Sequence, residues 1–178
     1  MTDMTKNFHK KGFTIVETLV AITVLMIAIA GPLVVASKGL FGASIAKNQM
    51  VASYLAQESM EVVKNTRDNN LYAGSSWLTG LSACTKSSPC DASAINSPSI
   101  AGCSGGPCRI YAEANGYGHT VGSNQASPFT RNFYLHDPLN TNNCASSEEC
   151  GVTVEVYWNE GGIPYSVIMT SELTSTLR

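Results

Sequence analysis

An apolar segment near the N-terminus constrains the fold of this chain more than any other feature. Residues 13–36 contain a single charged residue, Glu17. As an α-helix this segment would be about 36 Å long, which exceeds the roughly 30 Å thickness of the hydrocarbon core of a bilayer. The segment therefore predicts a helix that can span a membrane.

The charges that flank this segment indicate its orientation. Lys6, Lys10 and Lys11 precede it, whereas only Lys38 and Lys47 follow it nearby. Because basic flanks remain on the cytoplasmic side, the N-terminus is expected inside and the rest of the chain outside. The net charge of the whole chain is −2, which argues against a nucleic-acid-binding protein, because such a protein needs a basic face.

Two simple interpretations of the apolar segment compete. One is a cleaved secretory signal, for which residues 28–30, Ala-Ile-Ala, would be the cleavage site. The other is a plain single-span anchor. Glu17 argues against both, because a carboxylate costs on the order of 2.5–3.5 kcal/mol at the centre of a membrane helix and still carries a cost near its end.

The stretch from Lys10 to Leu19 resembles the processing site of type IV pilins and of the pseudopilins of type II secretion. In that family a short basic leader ends in glycine, an apolar residue follows, and a glutamate lies four residues further on. Gly12, Phe13 and Glu17 occupy these positions. The resemblance implies that a prepilin peptidase cuts between Gly12 and Phe13 and methylates the new amine of Phe13.

Glu17 acquires a physical role under this resemblance. It lies one helical turn beyond the amine of Phe13, at a helix N-terminus that favours an anion. A carboxylate buried in apolar surroundings needs a partner. The family implies that this partner is the N-terminal amine of a neighbouring subunit, and the amine of its own Phe13 is the alternative. Glu17 is therefore expected to set the register of assembly and not to act in catalysis.

The resemblance also implies partners and a location. The partners are prepilin peptidase, other pilin or pseudopilin subunits, an inner-membrane assembly platform and membrane lipid. The protein would cross the inner, cytoplasmic membrane once and later enter a type IV pilus or a type II secretion pseudopilus. Residues 52–58 and 67–69 look like minor pilin-like proteins of the I/V type, which favours a minor subunit. The alternative is a non-polymerising surface adhesin or binding module with one membrane span.

Gly31 and Pro32 predict a break in the apolar helix, because proline removes a backbone hydrogen bond and clashes with the preceding turn. The family suggests a helix that loosens here when the subunit enters a filament. A simpler interpretation is that membrane helices often tolerate both residues.

Four segments are predicted: a basic leader (1–12), a membrane and assembly helix (13–36), an amphipathic continuation of that helix (37–70) and an extracytoplasmic head (71–178). In the continuation, apolar residues recur at helical spacing. These residues are Ile45, Val51, Leu55 and Val62, with Tyr54 and Met60 beside them. Glu58 and Glu61 fall on the other face, which is expected to be solvated.

The head is predicted to contain an irregular loop and short strands. Residues 72–107 lack periodicity and are rich in Ser, Gly and Pro, which is typical of a loop. Strands are predicted at residues 108–113, 129–136, 152–158 and 165–173, the last two joined by a Gly161-Gly162 turn. The predicted fold is therefore α+β and pilin-like: a long N-terminal helix packed against an antiparallel sheet of three to four strands, with disulfide-bearing loops.

The six cysteines fall into three neighbouring pairs, which makes local disulfides the simplest arrangement. The pairs are Cys84 with Cys90, Cys103 with Cys108, and Cys144 with Cys150. A structural zinc site is the alternative, but only Cys103 and Cys108 approach the usual ligand spacing and no histidine pair exists.

The sequence contains no pattern that favours an enzymatic activity, a cofactor site or a metal site. The three histidines, His9, His119 and His136, are far apart, and no nucleophile, metalloprotease or phosphate-binding motif is present. Residues 137–143 offer oxygen ligands, but their spacing does not match an EF-hand calcium loop.

Overall fold

The computed structural model describes residues 12–95, 97–103, 108–114, 116–119, 125–137, 144 and 148–176. The chain divides into two compact units, Met1–Ser44 and Ile45–Arg178. The fold class is α+β: one long N-terminal helix and an antiparallel sheet on which the helix packs.

A single helix, α1, runs from Ile15 to Tyr72. It contains Pro32, so the predicted break at Gly31 and Pro32 is wrong for this structure. A proline removes one backbone donor, and the hydrogen bonds on either side are sufficient to continue the helix. The helix ends where Gly74 adopts a φ of 68° and donates to the carbonyl of Leu71 at 3.0 Å. Glycine at this position terminates helices because it accepts the left-handed conformation without strain.

The part of α1 that belongs to the second unit buries one face. Its buried residues recur every three or four positions, which is the spacing of one helix face. They are Ala52, Leu55, Ala56, Ser59, Met60, Val62 and Val63. Tyr54 was expected beside this face, but its side chain is 64% exposed.

The described residues of the second unit form one antiparallel sheet of seven strands. In chain order the strands are β1 (Cys90–Ser93), β2 (Ser99–Gly102), β3 (Arg109–Glu113), β4 (Gly116–Gly118), β5 (Gln125–His136), β6 (Glu149–Glu160) and β7 (Ile163–Thr174). The four predicted strands correspond to β3, β5, β6 and β7. The predicted count of three to four strands is too low, and the predicted irregular loop at residues 72–107 contains β1 and β2. These strands are four residues long, too short to show an alternating pattern.

Strand β5 is central to the sheet. Its residue Thr130 pairs with Arg109 of β3 and with Tyr157 of β6, so these two strands lie on opposite edges of β5. Strand β1 lies on the β3 side, where its only register pair with β5 is Cys90 with Phe133. Among the described strands, β7 pairs only with β6. The sheet order is therefore β7-β6-β5. On its other edge β5 pairs with both β3 and β1, and these pair in turn with β4 and β2.

The β6–β7 hairpin carries much of the core. Its turn residues Gly161 and Gly162 have φ values of 58° and 85°, which a two-residue turn of type I′ requires. The alternating residues Val152, Val154, Val156 and Trp158 are all buried, which confirms the face predicted for this strand. They pack in one cluster with the buried residues of α1.

Candidate functional site

The first turn of α1 is organised by Thr14. Its Oγ1 accepts a hydrogen bond of 3.2 Å from the backbone N–H of Glu17, and its carbonyl accepts one of 3.2 Å from the N–H of Thr18. Thr14 is therefore the N-cap, and Glu17 occupies the third helical position. Thr14 was missed in the sequence, although a threonine followed three residues later by glutamate is the signature of a capping box.

Gly12 and Phe13 precede this cap, and both residues are exposed. A Cβ added at Gly12 would meet nothing within 4 Å, and the side chain of Phe13 is 80% exposed. Nothing that the described chain places near Gly12 requires glycine there.

Glu17 provides an anionic group at the N-terminal end of α1. It is the acidic residue of the first turn, and its side chain is exposed. The partial positive charge of the helix N-terminus stabilises an anion here. The cap thus places Glu17 in the first turn of α1, one turn beyond Phe13.

The apolar surface of α1 continues from this end. Every residue from Gly12 to Ala43 is exposed, including large apolar side chains such as Ile15 at 85% and Ile27 at 75%. By length and composition α1 can cross a membrane. A continuous apolar surface of this size needs a cover, such as lipid or other apolar helices. The chain therefore has the character of a single-pass, membrane-anchored protein.

A buried ionic cluster lies in the second unit. Arg131 of β5 has no exposed surface, and Asp91 of β1 is 2% exposed. Nε of Arg131 donates to Oδ1 of Asp91 at 2.7 Å, and Nη1 donates to Oε2 of Glu58 at 3.1 Å and to the carbonyl of Leu55 at 3.3 Å. Glu58 was predicted to lie on a solvated helix face, and this was wrong because its carboxylate pairs with Arg131.

His119, which follows β4, completes the cluster. Its Nδ1 lies 3.2 Å from Oδ2 of Asp91. This hydrogen bond to Asp91 raises the pKa of His119. Burial by itself would raise the pKa of Asp91, but the hydrogen bond from His119 and the charge of Arg131 outweigh it and leave the pKa below its ordinary value. His136 is likewise satisfied, with Nε2 3.1 Å from Oγ1 of Thr153.

The cysteines lie in the three predicted pairs at disulfide distance. The Cα atoms are 5.3 Å apart for Cys84 and Cys90, 5.1 Å for Cys103 and Cys108, and 5.5 Å for Cys144 and Cys150. These separations fall in the usual range for disulfides. Within the described ranges, no group of three or more His, Cys, Asp or Glu side chains is placed to hold a metal ion. The leader residues up to Lys11, including His9, and most of the oxygen-rich stretch at 137–143 lie outside the described residues.

Comparison with known families identifies the N-terminal region. The model of the prokaryotic N-terminal methylation motif matches residues 7–31, which include Gly12, Phe13, Glu17 and most of the apolar segment. The comparisons with curated proteins and with solved structures found no match. Proteins with this motif are structural and not enzymatic. The motif supports the assignment of this chain to a type IV pilin-like or pseudopilin family and indicates that the chain is a precursor of that type.

Proposed function

We propose that this protein is a structural subunit, a minor pilin or pseudopilin of the I/V type, that enters a type IV pilus or a type II secretion pseudopilus. The observation that carries this proposal is the methylation motif at residues 7–31, which leads into an exposed apolar helix. Before assembly the helix lies in the inner membrane with its N-terminus inside. Afterwards it packs against the helices of other subunits, and the head is displayed outside.

Processing is the first step of this function. Prepilin peptidase cuts between Gly12 and Phe13 and methylates the Phe13 amine. The open position of Gly12 before the Thr14 cap supports this, because a protease must bind backbone that no helix encloses. The three local disulfides then stiffen the head outside the cytoplasm, where oxidising conditions preserve them.

Assembly is the second step, and Glu17 guides it. In the filament its carboxylate pairs with the Phe13 amine of a neighbouring subunit, since apolar helices on every side leave a charge no water. The inner-membrane assembly platform extracts the subunit from lipid. Pro32 leaves one backbone carbonyl of the preceding turn without its usual donor, which makes Gly31 and Pro32 the place where the helix loosens during this step.

The intact mass of the mature protein tests this function. We expect a chain that begins at Phe13 with a methylated amine. Replacement of Gly12 by leucine should preserve the start at Met1, whereas leucine at Gly39, another position with open space around it, should leave processing intact. A wild-type chain that begins near Gly31 would indicate an ordinary secretory signal. A wild-type chain that retains Met1 would indicate a non-polymerising anchored protein.

A further inference from the structure

Among the strands that the structure describes, none pairs with the outer edge of β7. Its twelve register pairs with β6 run from Ile163 with Glu160 to Thr174 with Glu149. In a two-residue type I′ hairpin the pair that closes the turn exchanges backbone hydrogen bonds, and every second residue repeats this pattern. The odd-numbered residues of β7 therefore bond to β6. The even-numbered residues direct their N–H and C=O groups to the outer edge.

Two residues mark the ends of this outer edge. Pro164 has no N–H to offer, and prolines in sheets are confined to such edge positions. At the other end, the carbonyl of Thr174 accepts a hydrogen bond of 3.0 Å from Nη1 of Arg67. Between them lie Ser166, Ile168, Thr170 and Glu172. Within the described part of the chain, no other hydrogen bond reaches the outer edge of β7 over these residues. We call this stretch, Ser166–Glu172, the open edge; it is about 20 Å long.

Between Pro164 and Glu172, the open edge lacks the usual protection against pairing. Edge strands are normally guarded by lysines, central prolines, bulges or very short length. From Tyr165 to Ser171 the strand carries no charge, and its register with β6 is unbroken. Ile168 is 59% exposed beside this edge. Backbone donors and acceptors at a fixed spacing of two residues match the hydrogen-bonding pattern of an extended strand.

The charge of the hairpin indicates what kind of strand fits. Residues 149–174 contain four carboxylates and no Lys, Arg or His. They are Glu149, Glu155, Glu160 and Glu172. Lys64, Arg67 and Asp68 of α1 line a groove with Glu149 and Glu172 at one end of the hairpin, so three carboxylates face two basic side chains there. At the centre, Glu155 pairs in register with Ile168, and its carboxylate accepts hydrogen bonds from two tyrosine hydroxyls.

We propose that the open edge of β7 binds an extended strand of another polypeptide, with an uncharged centre and basic flanking side chains. The strand would extend the sheet beyond β7 through the backbone groups of Ser166, Ile168, Thr170 and Glu172. A second copy of this chain is a poorer occupant, because it would bring one acidic hairpin against another. The inference does not depend on entry into a filament.

A synthetic peptide tests the proposal on the full-length protein in detergent micelles. The probe has about seven residues, the length of the open edge, with alternating threonine and valine and a lysine at each end. A matched peptide carries glutamate at each end. We expect the lysine peptide to bind about tenfold more tightly at low ionic strength, with the ratio shrinking as salt is added.

Amide hydrogen exchange at residue resolution locates the peptide. The N–H groups of Ser166, Ile168, Thr170 and Glu172 should exchange rapidly in the free protein and slowly with the lysine peptide. The odd-numbered amides of β7 should be slow in both states, because they already bond to β6. This alternation distinguishes strand addition from general tightening of the head, which would slow both sets.

Two substitutions at Ile168 separate the backbone from the side chain. Ile168→Pro removes one donor of the open edge and none of the β6 ladder, so peptide affinity should fall at least about tenfold, the value of one lost hydrogen bond. Ile168→Ala keeps the donor and should change affinity less than about threefold. Thr170→Pro repeats the test if the first proline variant does not fold. Three results would each overturn the proposal. The first is equal binding of the peptide to the proline and alanine variants, and the second is that the lysine peptide does not slow exchange of the even-numbered amides. The third is self-association of the protein through β7 in place of peptide binding.

Discussion

Arg131 and Asp91 form a buried ion pair in which Nε donates to Oδ1 at 2.7 Å and Nη2 lies 3.4 Å from Oδ2. Strand β1 has only one register pair with β5, between Cys90 and Phe133, so the backbone ladder alone holds it weakly. The ion pair adds a side-chain connection at this junction. The bond from Nη1 to Glu58 extends the connection to α1.

Arg131→Met should strongly destabilise the head. It leaves the carboxylate of Asp91 buried without its main partner, and breaking one half of a buried pair costs about 3–5 kcal/mol. Denaturant unfolding followed by circular dichroism measures the loss. The double variant Arg131→Met with Asp91→Asn removes both charges and should recover part of the stability, by more than about 1 kcal/mol relative to the sum of the single changes. Additive effects would contradict the pairing.

The stability of the head should depend on pH through His119 and Asp91. The pKa of His119 is raised above 6.5 by its hydrogen bond to Asp91. Its contribution to the free energy of unfolding is therefore complete below pH 6.5 and is lost as pH rises through the pKa of the folded protein. The pKa of Asp91 lies below 3.8 as the net result of burial, which raises it, and the His119 bond and Arg131, which lower it. Its contribution is complete above pH 3.8 and is lost as pH falls through that lower value.

Both contributions are therefore complete between about pH 4 and pH 6.5, the ordinary pKa values of the two groups. The unfolding midpoint should be highest in this window and should fall as pH rises above it. His119→Gln keeps a polar side chain and should flatten the alkaline part of this profile. If the unfolding midpoint of this variant still falls as pH rises above 6.5, the decline is caused by another group.

The sequence predicted those parts of the fold that have long, regular patterns. The alternation from Val152 to Trp158 and the Gly161-Gly162 turn fixed the hairpin, because a period of two can bury only one face. The helical spacing of Leu55 and Val62 likewise gave the face of α1 that packs on the sheet. Strands β1, β2 and β4 have three or four residues each, and the pairing that forms them depends on partners distant in sequence.

Local sequence patterns could not predict the buried ionic cluster. Arg131 does occupy a core-facing position of a predicted strand, and this was the available signal. Its partners Asp91 and Glu58 lie 40 and 73 positions away, so nothing local connects them. The Gly31-Pro32 break failed for a different reason: a local rule about proline was applied to a helix long enough to continue past the lost bond.

Gly151→Ala should destabilise the junction of β5 and β6. Gly151 pairs in register with His136, and a Cβ at residue 151 would overlap the imidazole ring, which Thr153 holds in place. Overpacking of this kind costs about 1–3 kcal/mol. The double variant Gly151→Ala with His136→Ala should regain stability relative to Gly151→Ala alone. Gly118→Ala is the comparison, because its new methyl group would overlap only the flexible carboxylate of Glu113, with Ile95 at an ordinary contact distance of 3.6 Å, and should cost less.

Peptide mapping under non-reducing conditions should recover three local links: Cys84 to Cys90, Cys103 to Cys108, and Cys144 to Cys150. Replacing Cys144 and Cys150 together with serine should lower the free energy of unfolding by about 2 kcal/mol, since the loop that this link closes is short. Links between members of different pairs would contradict the arrangement.

Glu17→Val tests the role of the carboxylate in assembly. The substitution leaves Gly12, Phe13 and the Thr14 cap unchanged, so processing and membrane insertion should proceed normally. Incorporation into filaments should fall at least about tenfold, which corresponds to about 1.4 kcal/mol, because the N-terminal amine of a neighbouring subunit would lose its charged partner. The measurement compares the amount of protein in purified filaments with the amount in membranes. Thr18→Val, a change at the next residue of the same exposed turn, should assemble normally. Undiminished assembly of Glu17→Val would remove the carboxylate from the assembly contact.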